Sequence, residues 1–154
     1  AGAAAPSQYQ ITAVNKTCYN EADNSCTNVD YDLTGDTLTF TVTTLKSAYT
    51  HLVQVQMGDG AAVTVKPDEK GTYTVTGVSD DVTIIVTSVL KGDVDLDGAI
   101  TSNDASTVLR QVAKIPPYLS EIASLTADVD LDGAITSNDA STILRYVAKL
   151  IPTL

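Results

Sequence analysis

The chain has 154 residues, which is enough for one or two small domains. Nineteen Asp and Glu residues against nine Lys and Arg residues give a formal net charge of −10, which argues against binding to nucleic acid or to an anionic membrane surface. No apolar run reaches the ~18 residues that a membrane-spanning helix needs.

The first 26 residues contain a candidate linker and both cysteines. Residues 1–7, AGAAAPS, are small and are expected to link this chain to a segment upstream, and the missing start Met indicates a mature or excised fragment. Cys18 and Cys26 enclose the polar segment YNEADNS, and a disulfide between them is predicted, in agreement with secretion. A metal site is the weaker alternative, because the sole histidine, His51, lies in a strand pattern and no third ligand is evident.

Residues 8–89 carry the pattern of β-strands. Apolar and polar residues alternate in segments rich in Val, Ile, Thr and Tyr, and turn-forming residues interrupt them at 34–36, 58–60, 68–71 and 79–81. Six or seven short strands at this spacing predict an all-β sandwich of immunoglobulin-like type. The predicted strands are YQITAV, TLTFTVTTL, HLVQVQM, AAVTVK, TYTVTG and VTIIVTS.

The C-terminal part of the chain is an internal repeat. Residues 93–114, DVDLDGAITSNDASTVLRQVAK, return 35 residues later at 128–149 as DVDLDGAITSNDASTILRYVAK. Twenty of the 22 paired positions are identical, and the exceptions are Val108 against Ile143 and Gln111 against Tyr146. Two copies of one supersecondary unit are expected to pack together, since neither buries its apolar face alone.

Each copy opens with a twelve-residue loop that has carboxylates at positions 1, 3, 5 and 12 and glycine at position 6. Calcium takes six to eight hard oxygen ligands, and alternate positions along a tight loop direct oxygens at one centre. Position 7 would give its backbone carbonyl. Because the glycine and the closing acid recur in register, the pattern predicts two Ca²⁺ sites rather than solvated acidic turns. The predicted ligands are Asp93, Asp95, Asp97, Ala99 and Asp104 in the first loop and Asp128, Asp130, Asp132, Ala134 and Asp139 in the second.

The residues after each loop predict an amphipathic helix, with Ser102 and Ser137 as N-caps. A stripe that includes Ala105, Val108 and Val112 is expected to face the core. Another face is identical in the two copies, which recent duplication would also explain, and we interpret it as a surface that engages one partner in two orientations related by a pseudo-twofold rotation. Its residues are Ser102, Asn103, Ser106, Leu109, Arg110, Ala113 and Lys114, with Ser137, Asn138, Ser141, Leu144, Arg145, Ala148 and Lys149 as their counterparts.

With its duplicated GDVDLDG…SND…LR..AK pattern, the segment 92–151 resembles a dockerin. The resemblance implies a small all-α domain of three helices with two Ca²⁺ ions and a helix face that docks onto a cohesin. The preceding GTYTVTGVSDDVTIIV looks like the end of a bacterial immunoglobulin-like module, and its place before the repeat resembles the X module of X-module–dockerin pairs. The expected division is a linker at 1–7, an X module at 8–89 and a dockerin at 90–154.

These features favour a non-catalytic adaptor over an enzyme. The sequence shows no nucleophile–base pair, phosphate loop or isolated carboxylate dyad. The dockerin resemblance implies a secreted, calcium-dependent module that joins its parent protein to a cohesin at a bacterial cell surface or cellulosome. The alternative is a carbohydrate-binding or adhesive β-domain with a calcium-stabilised appendage. A calcium sensor is disfavoured, because no helix is expected directly before the first loop.

Overall fold

The computed structural model describes residues 9–19 and 25–154, which form two compact units. The first unit comprises the described residues up to Lys46 together with Leu52–Thr87, and the second comprises Ser47–His51 and Ser88–Leu154. In the part of the chain that is described, no helix is both long enough and apolar enough to cross a membrane.

Seven strands make up the described β-structure, in two sheets with the orders β1-β7-β4-β5 and β2-β3-β6. Alternating side chains in β3 explain the packing, because Leu38 and Phe40 are buried while threonines separate them. Phe40 stacks on Tyr73 with ring centroids 4.7 Å apart, and Val53, Val55, Ile84 and Val86 from the other sheet complete the same core. The strands are β1 Ile11–Thr17, β2 Thr27–Thr34, β3 Thr37–Thr44, β4 Tyr49–Met57, β5 Val63–Thr64, β6 Thr72–Val75 and β7 Val82–Leu90.

The immunoglobulin-like fold class predicted from the sequence is wrong. In a constant-type immunoglobulin sandwich the first strand lies beside the second, whereas here β1 lies beside β7 and β2 pairs with β3. The β2–β3 hairpin turns at Gly35, whose φ of +61° suits a two-residue connection. The sequence pattern missed β2, because Asp30 and Asp32 are unfavourable strand residues. Alternation identifies which face of a strand is buried, but not which strand becomes its neighbour.

The second unit contains three short helices, α1 Ser102–Val112, α2 Glu121–Ala127 and α3 Ser137–Val147. The resemblance implies three helices, and the short α2 between the two copies is the third of them. An all-α description of this unit is nevertheless wrong, since helices of 11, 7 and 11 residues leave more than half of Ser88–Leu154 in loops, turns and the end of β7. The two acidic loops satisfy their backbone groups locally, and Pro116 and Pro117 stop helix formation after α1.

The core of this unit is small and nearly symmetric. Val108 of α1 and Ile143 of α3 are fully buried at equivalent positions. The second residue of each loop, Val94 or Val129, is also buried there. The remaining buried members are Ala105, Ala127 and Ala140, and the partly buried ones are Ile100, Leu119, Ile135 and Leu154. Because three of the seven buried residues are alanines, little apolar surface holds the two copies together.

The structure contains no bond between Cys18 and Cys26, and the disulfide stays a prediction. Cys26 is buried, and its Sγ lies 3.9 Å from the hydroxyl of Ser25, while Cys18 is half-buried after the end of β1. The residues 20–24 of the enclosed segment lie outside the described part of the chain. Within the described part, neither cysteine nor His51 belongs to a group of side chains that could hold a metal ion.

Candidate functional site

The predicted calcium ligands form two acidic clusters, one in each loop. In the second loop, Asp128, Asp130, Asp132 and Asp139 each offer an oxygen within 4.8 Å of the others. In the first loop, Asp93, Asp95 and Asp97 meet the same distance. Asp104 adjoins this first cluster, because its Oδ1 accepts a hydrogen bond from the backbone N–H of Asp95 at 3.1 Å.

Backbone N–H groups of the loops hold the carboxylates in place. In the first loop, Gly98 N donates to Asp93 Oδ2 at 2.9 Å and Ala99 N donates to Asp97 Oδ1 at 2.9 Å. The second loop repeats both bonds at the same distances, from Gly133 N to Asp128 Oδ2 and from Ala134 N to Asp132 Oδ1. Ala99 and Ala134, whose carbonyls were predicted as ligands, are therefore part of the same hydrogen-bonded turns.

Position 6 of each loop requires glycine for its backbone conformation. Gly98 and Gly133 have φ values of +89° and +86°, a region that L side chains rarely adopt. At Gly133 a Cβ atom would meet nothing within 4 Å, so backbone conformation rather than space selects glycine. Leu96 and Leu131, at position 4, also have positive φ, 61° and 58°. Strained residues at equivalent positions in both copies are typical of a functional loop.

The closing acid of each loop also caps the following helix. Thr101 and Thr136 are the N-caps, not Ser102 and Ser137 as predicted. Asp104 Oδ2 accepts from Thr101 N at 2.7 Å, and Asp139 Oδ2 accepts from Thr136 N at 2.8 Å, which forms a capping box at each helix. Because both carboxylates are fully buried, one side chain fixes the end of the loop and the start of the helix.

Crowding in the clusters shifts several pKa values. Burial, reinforced by the nearby charge of Asp104, raises the pKa of Asp95 to about 7. Burial also raises the pKa values of Asp128 and Asp139. The hydrogen bond from the backbone of Ala99 lowers the pKa of Asp97. Clustered carboxylates, three of which have raised pKa values, on loops whose N–H groups fix their orientation, fit a hard divalent cation such as Ca²⁺.

The predicted helix surface is exposed in both copies. All fourteen of its residues are exposed, including Leu109 at 44% and Leu144 at 43%. Val112, predicted to face the core, is 42% exposed, and its counterpart Val147 is 38% exposed. Sequence reasoning missed these two valines as surface residues, although their spacing of three from Leu109 and Leu144 places them beside those leucines on the helix.

The two positions that differ between the copies lie away from this helix surface. Val108 and Ile143 are fully buried. The side-chain Oε1 of Gln111 accepts from the backbone N–H of Leu119 at 3.1 Å. Its counterpart Tyr146 lines a cavity of about 200 Å³ that is also lined by Lys91, Ile100, Pro152, Thr153, Leu154, Ser47 and Ala48. Gln111 and Tyr146 therefore differ at a position whose neighbours also differ, whereas the solvent-exposed residues of the two helix surfaces are identical.

Comparison with known proteins assigns this part of the chain to a family. The model of the dockerin type I domain matches residues 91–148, and a search of curated proteins found no match. Two similar solved structures are complexes of the third cohesin ScaC with the ScaB dockerin from Acetivibrio cellulolyticus, both described as displaying a type I interaction; one carries an IN to SI mutation in the N-terminal helix and the other in the C-terminal helix. Their identities are 35% and 36%, their TM-scores 0.40 and 0.39, and they cover 42% and 41% of this chain and 89% and 88% of the matched chains. Through residues 91–148, the chain belongs to the dockerin type I family.

Proposed function

We propose that this chain is a calcium-dependent, non-catalytic adaptor that docks its parent protein onto a cohesin of a scaffoldin or cell-surface anchor outside the cell. The observation that carries the proposal is the pair of identical, exposed helix surfaces beside two carboxylate clusters in a dockerin domain. Two findings support a cohesin as the partner: the dockerin family match, and the cohesin bound to the dockerin in both similar structures.

One Ca²⁺ ion would be held by each loop. The ligands in the first loop would be the carboxylates of Asp93, Asp95, Asp97 and Asp104 with the carbonyl of Ala99. In the second loop they would be Asp128, Asp130, Asp132 and Asp139 with the carbonyl of Ala134. The bound cation would neutralise carboxylates that repel one another in the folded chain and would fix both helix N-termini through the capping acids. Calcium binding and folding of this unit are therefore expected to be one coupled equilibrium.

The docking surface has an apolar centre and a basic end. On α1, Leu109 and Val112 present apolar area, while Arg110 and Lys114 lie toward the C-terminal end, and α3 repeats this arrangement. Exposed apolar patches with a charged rim are typical of protein-binding surfaces. Because the fourteen surface residues match one for one, either helix can present the same chemistry to a cohesin.

The first unit of the fold, called the β-unit from here on, would act as a spacer or an extension of the docking module. We keep the boundaries 8–89 for an X module and 90–154 for the dockerin as part of this proposal. The depression on the β2-β3-β6 sheet gives little support to glycan binding among the described residues. It is lined by Asp30, Tyr31, Asp32, Phe40 and three threonines, and the ring of Phe40 is buried in the core rather than exposed to a ligand.

Calorimetric titration of the full chain into a panel of cohesins tests the proposal. Binding in calcium that is lost in EDTA is expected for at least one cohesin. Arg110→Glu and Arg145→Glu should each leave binding intact, and the double variant should abolish it, because either helix can serve. Lys70→Glu, an exposed charge reversal in the β-unit, is the matched control and should change nothing.

Two outcomes would contradict different parts of this proposal. No binding across a broad cohesin panel in calcium would remove the adaptor function, and glycan binding by the chain would then favour the carbohydrate-binding alternative. Complete loss of binding in one single variant, with full binding in the other, would show that the two helices are not equivalent.

A further inference from the structure

The entries to the two acidic loops are joined through one buried side chain. Thr126 lies near the end of α2, two residues before Asp128, and is 1% exposed. Its hydroxyl donates to the carbonyl of Leu90 at 2.5 Å and accepts from the backbone N–H of Gly92 at 2.7 Å. Leu90 and Gly92 lie three residues and one residue before Asp93, the first acid of the other loop.

Backbone hydrogen bonds extend this link in both directions. Gly92 N also donates to the carbonyl of Thr126 at 3.1 Å, and Asp93 N donates to the carbonyl of Leu90 at 3.1 Å. Beyond Thr126, Val129 N donates to the carbonyl of Ala127 at 3.0 Å, which shapes the turn that contains Asp128. Hydrogen bonds of Thr126 to Leu90 and Gly92, together with the short covalent step from Thr126 to Asp128, thus connect the segments that carry Asp93 and Asp128.

We infer that Thr126 is a positioning residue that couples calcium binding at the two loops. The inference rests on the proposed calcium function and adds how the two sites are regulated by each other. An ion in the second loop orders Asp128 and the end of α2, which sets the hydroxyl of Thr126 against Leu90 and Gly92. That contact places Asp93 for an ion in the first loop, and the coupling is reciprocal, as linkage requires.

The shared core offers a competing route for coupling, so the test must separate the two. Thr126→Val keeps the shape of the side chain and removes the hydroxyl, whereas Thr126→Ser keeps the hydroxyl and removes a methyl group. Val108→Ala weakens the shared core but leaves the hydroxyl of Thr126 and its partners in the sequence. A merely structural role for Thr126 would make Thr126→Val behave like Val108→Ala.

Calcium titration of the full-length chain, followed by calorimetry, provides the readout. We expect the wild type to bind two ions with a Hill coefficient approaching about 2, and Thr126→Val to bind two ions with a coefficient below the wild-type value, since the coupling through folding remains. Thr126→Ser and Val108→Ala should keep the wild-type coefficient even where their affinities fall. A wild-type coefficient in Thr126→Val, or an equal fall in Val108→Ala, would overturn the inference.

If the Thr126→Val variant does not fold, a second measurement tests the inference. In the wild-type Thr126 background, Asp132→Asn weakens the second loop, and we expect calcium affinity of the first loop to fall about tenfold, with faster exchange of the Gly92 amide. Unchanged affinity and unchanged exchange would refute the coupling. A wild-type chain that takes up no calcium would instead remove the calcium part of the proposed function, so the two failures are distinguishable.

Discussion

Removal of calcium by EDTA is expected to unfold the second unit and leave the β-unit folded. In the second loop, four carboxylates offer oxygens within 4.8 Å of one another. At that separation, two unit charges repel by about 3 kcal/mol for an effective dielectric constant near 20. Proton uptake relieves part of this repulsion, as the raised pKa of Asp128 indicates. The remaining repulsion and the entropy cost of ordering the chain are together expected to exceed what the small core can offset.

The opposing term is the apolar core of this unit. Among its seven buried members, the larger ones are Val94, Val108, Val129 and Ile143. Full burial of each contributes about 2 kcal/mol, so these four supply roughly 8 kcal/mol before the loss of chain entropy is subtracted. The β-unit has no such carboxylate cluster among its described residues and buries Leu38, Phe40 and Ile84 in a larger core.

Amide NMR spectra of the full chain with calcium and with EDTA would check this expectation residue by residue. Signals from residues 92–151 should collapse to the shifts of an unfolded chain in EDTA, while those of the β-strands keep their dispersion. Helical circular dichroism should fall in parallel and return when calcium is added back. Retention of helical dichroism and of the α1 and α3 signals in EDTA would refute the repulsion argument.

Three further predictions follow from single side chains. The pKa of Asp95 is raised from 3.8 to about 7 in the metal-free fold. The contribution of Asp95 to metal-free stability is therefore complete below pH 3.8 and is lost as the pH rises through about 7. Calcium binding needs the ionised acid, so calcium affinity should rise over the same window in calorimetric titrations at several pH values. Asp95→Asn removes the titrating carboxyl, so it should weaken calcium binding and flatten the rise of affinity between pH 3.8 and about 7. An unchanged pH dependence of calcium affinity in this variant would contradict the reasoning. Gly92→Ala should destabilise the calcium-loaded unit by about 1 kcal/mol in thermal denaturation, because its φ of +88° strains any L side chain; the end of the Leu154 side chain, which the new Cβ would meet, can shift aside. Gly71→Ala, also at positive φ but with open space, is the matched control and should lower the stability of its own unit by a similar amount, and a much larger loss at Gly92 would contradict this reasoning.

The acidic clusters and the exposed helix face could be predicted from the sequence because they depend on local spacing. Carboxylates at positions 1, 3 and 5 converge in both loops, and glycine at position 6 is needed for the turn itself. The helical repeat of 3.6 residues likewise places Leu109 and Arg110 on an outer face, whatever the helix packs against. Family membership followed from the same local pattern, repeated twice.

Contacts between distant parts of the chain were decided by the tertiary structure. Alternation in the strands indicated which side chains are buried, but the placement of β1 beside β7 depends on interactions that span most of the β-unit. Val112 carries the same apolar signal as a core valine, yet it is 42% exposed. Thr126 gave no signal of its role, since its partners Leu90 and Gly92 lie 36 and 34 residues away. Local interactions follow from the spacing of residues along the chain, whereas the pairing of remote segments results from the competition among all possible contacts.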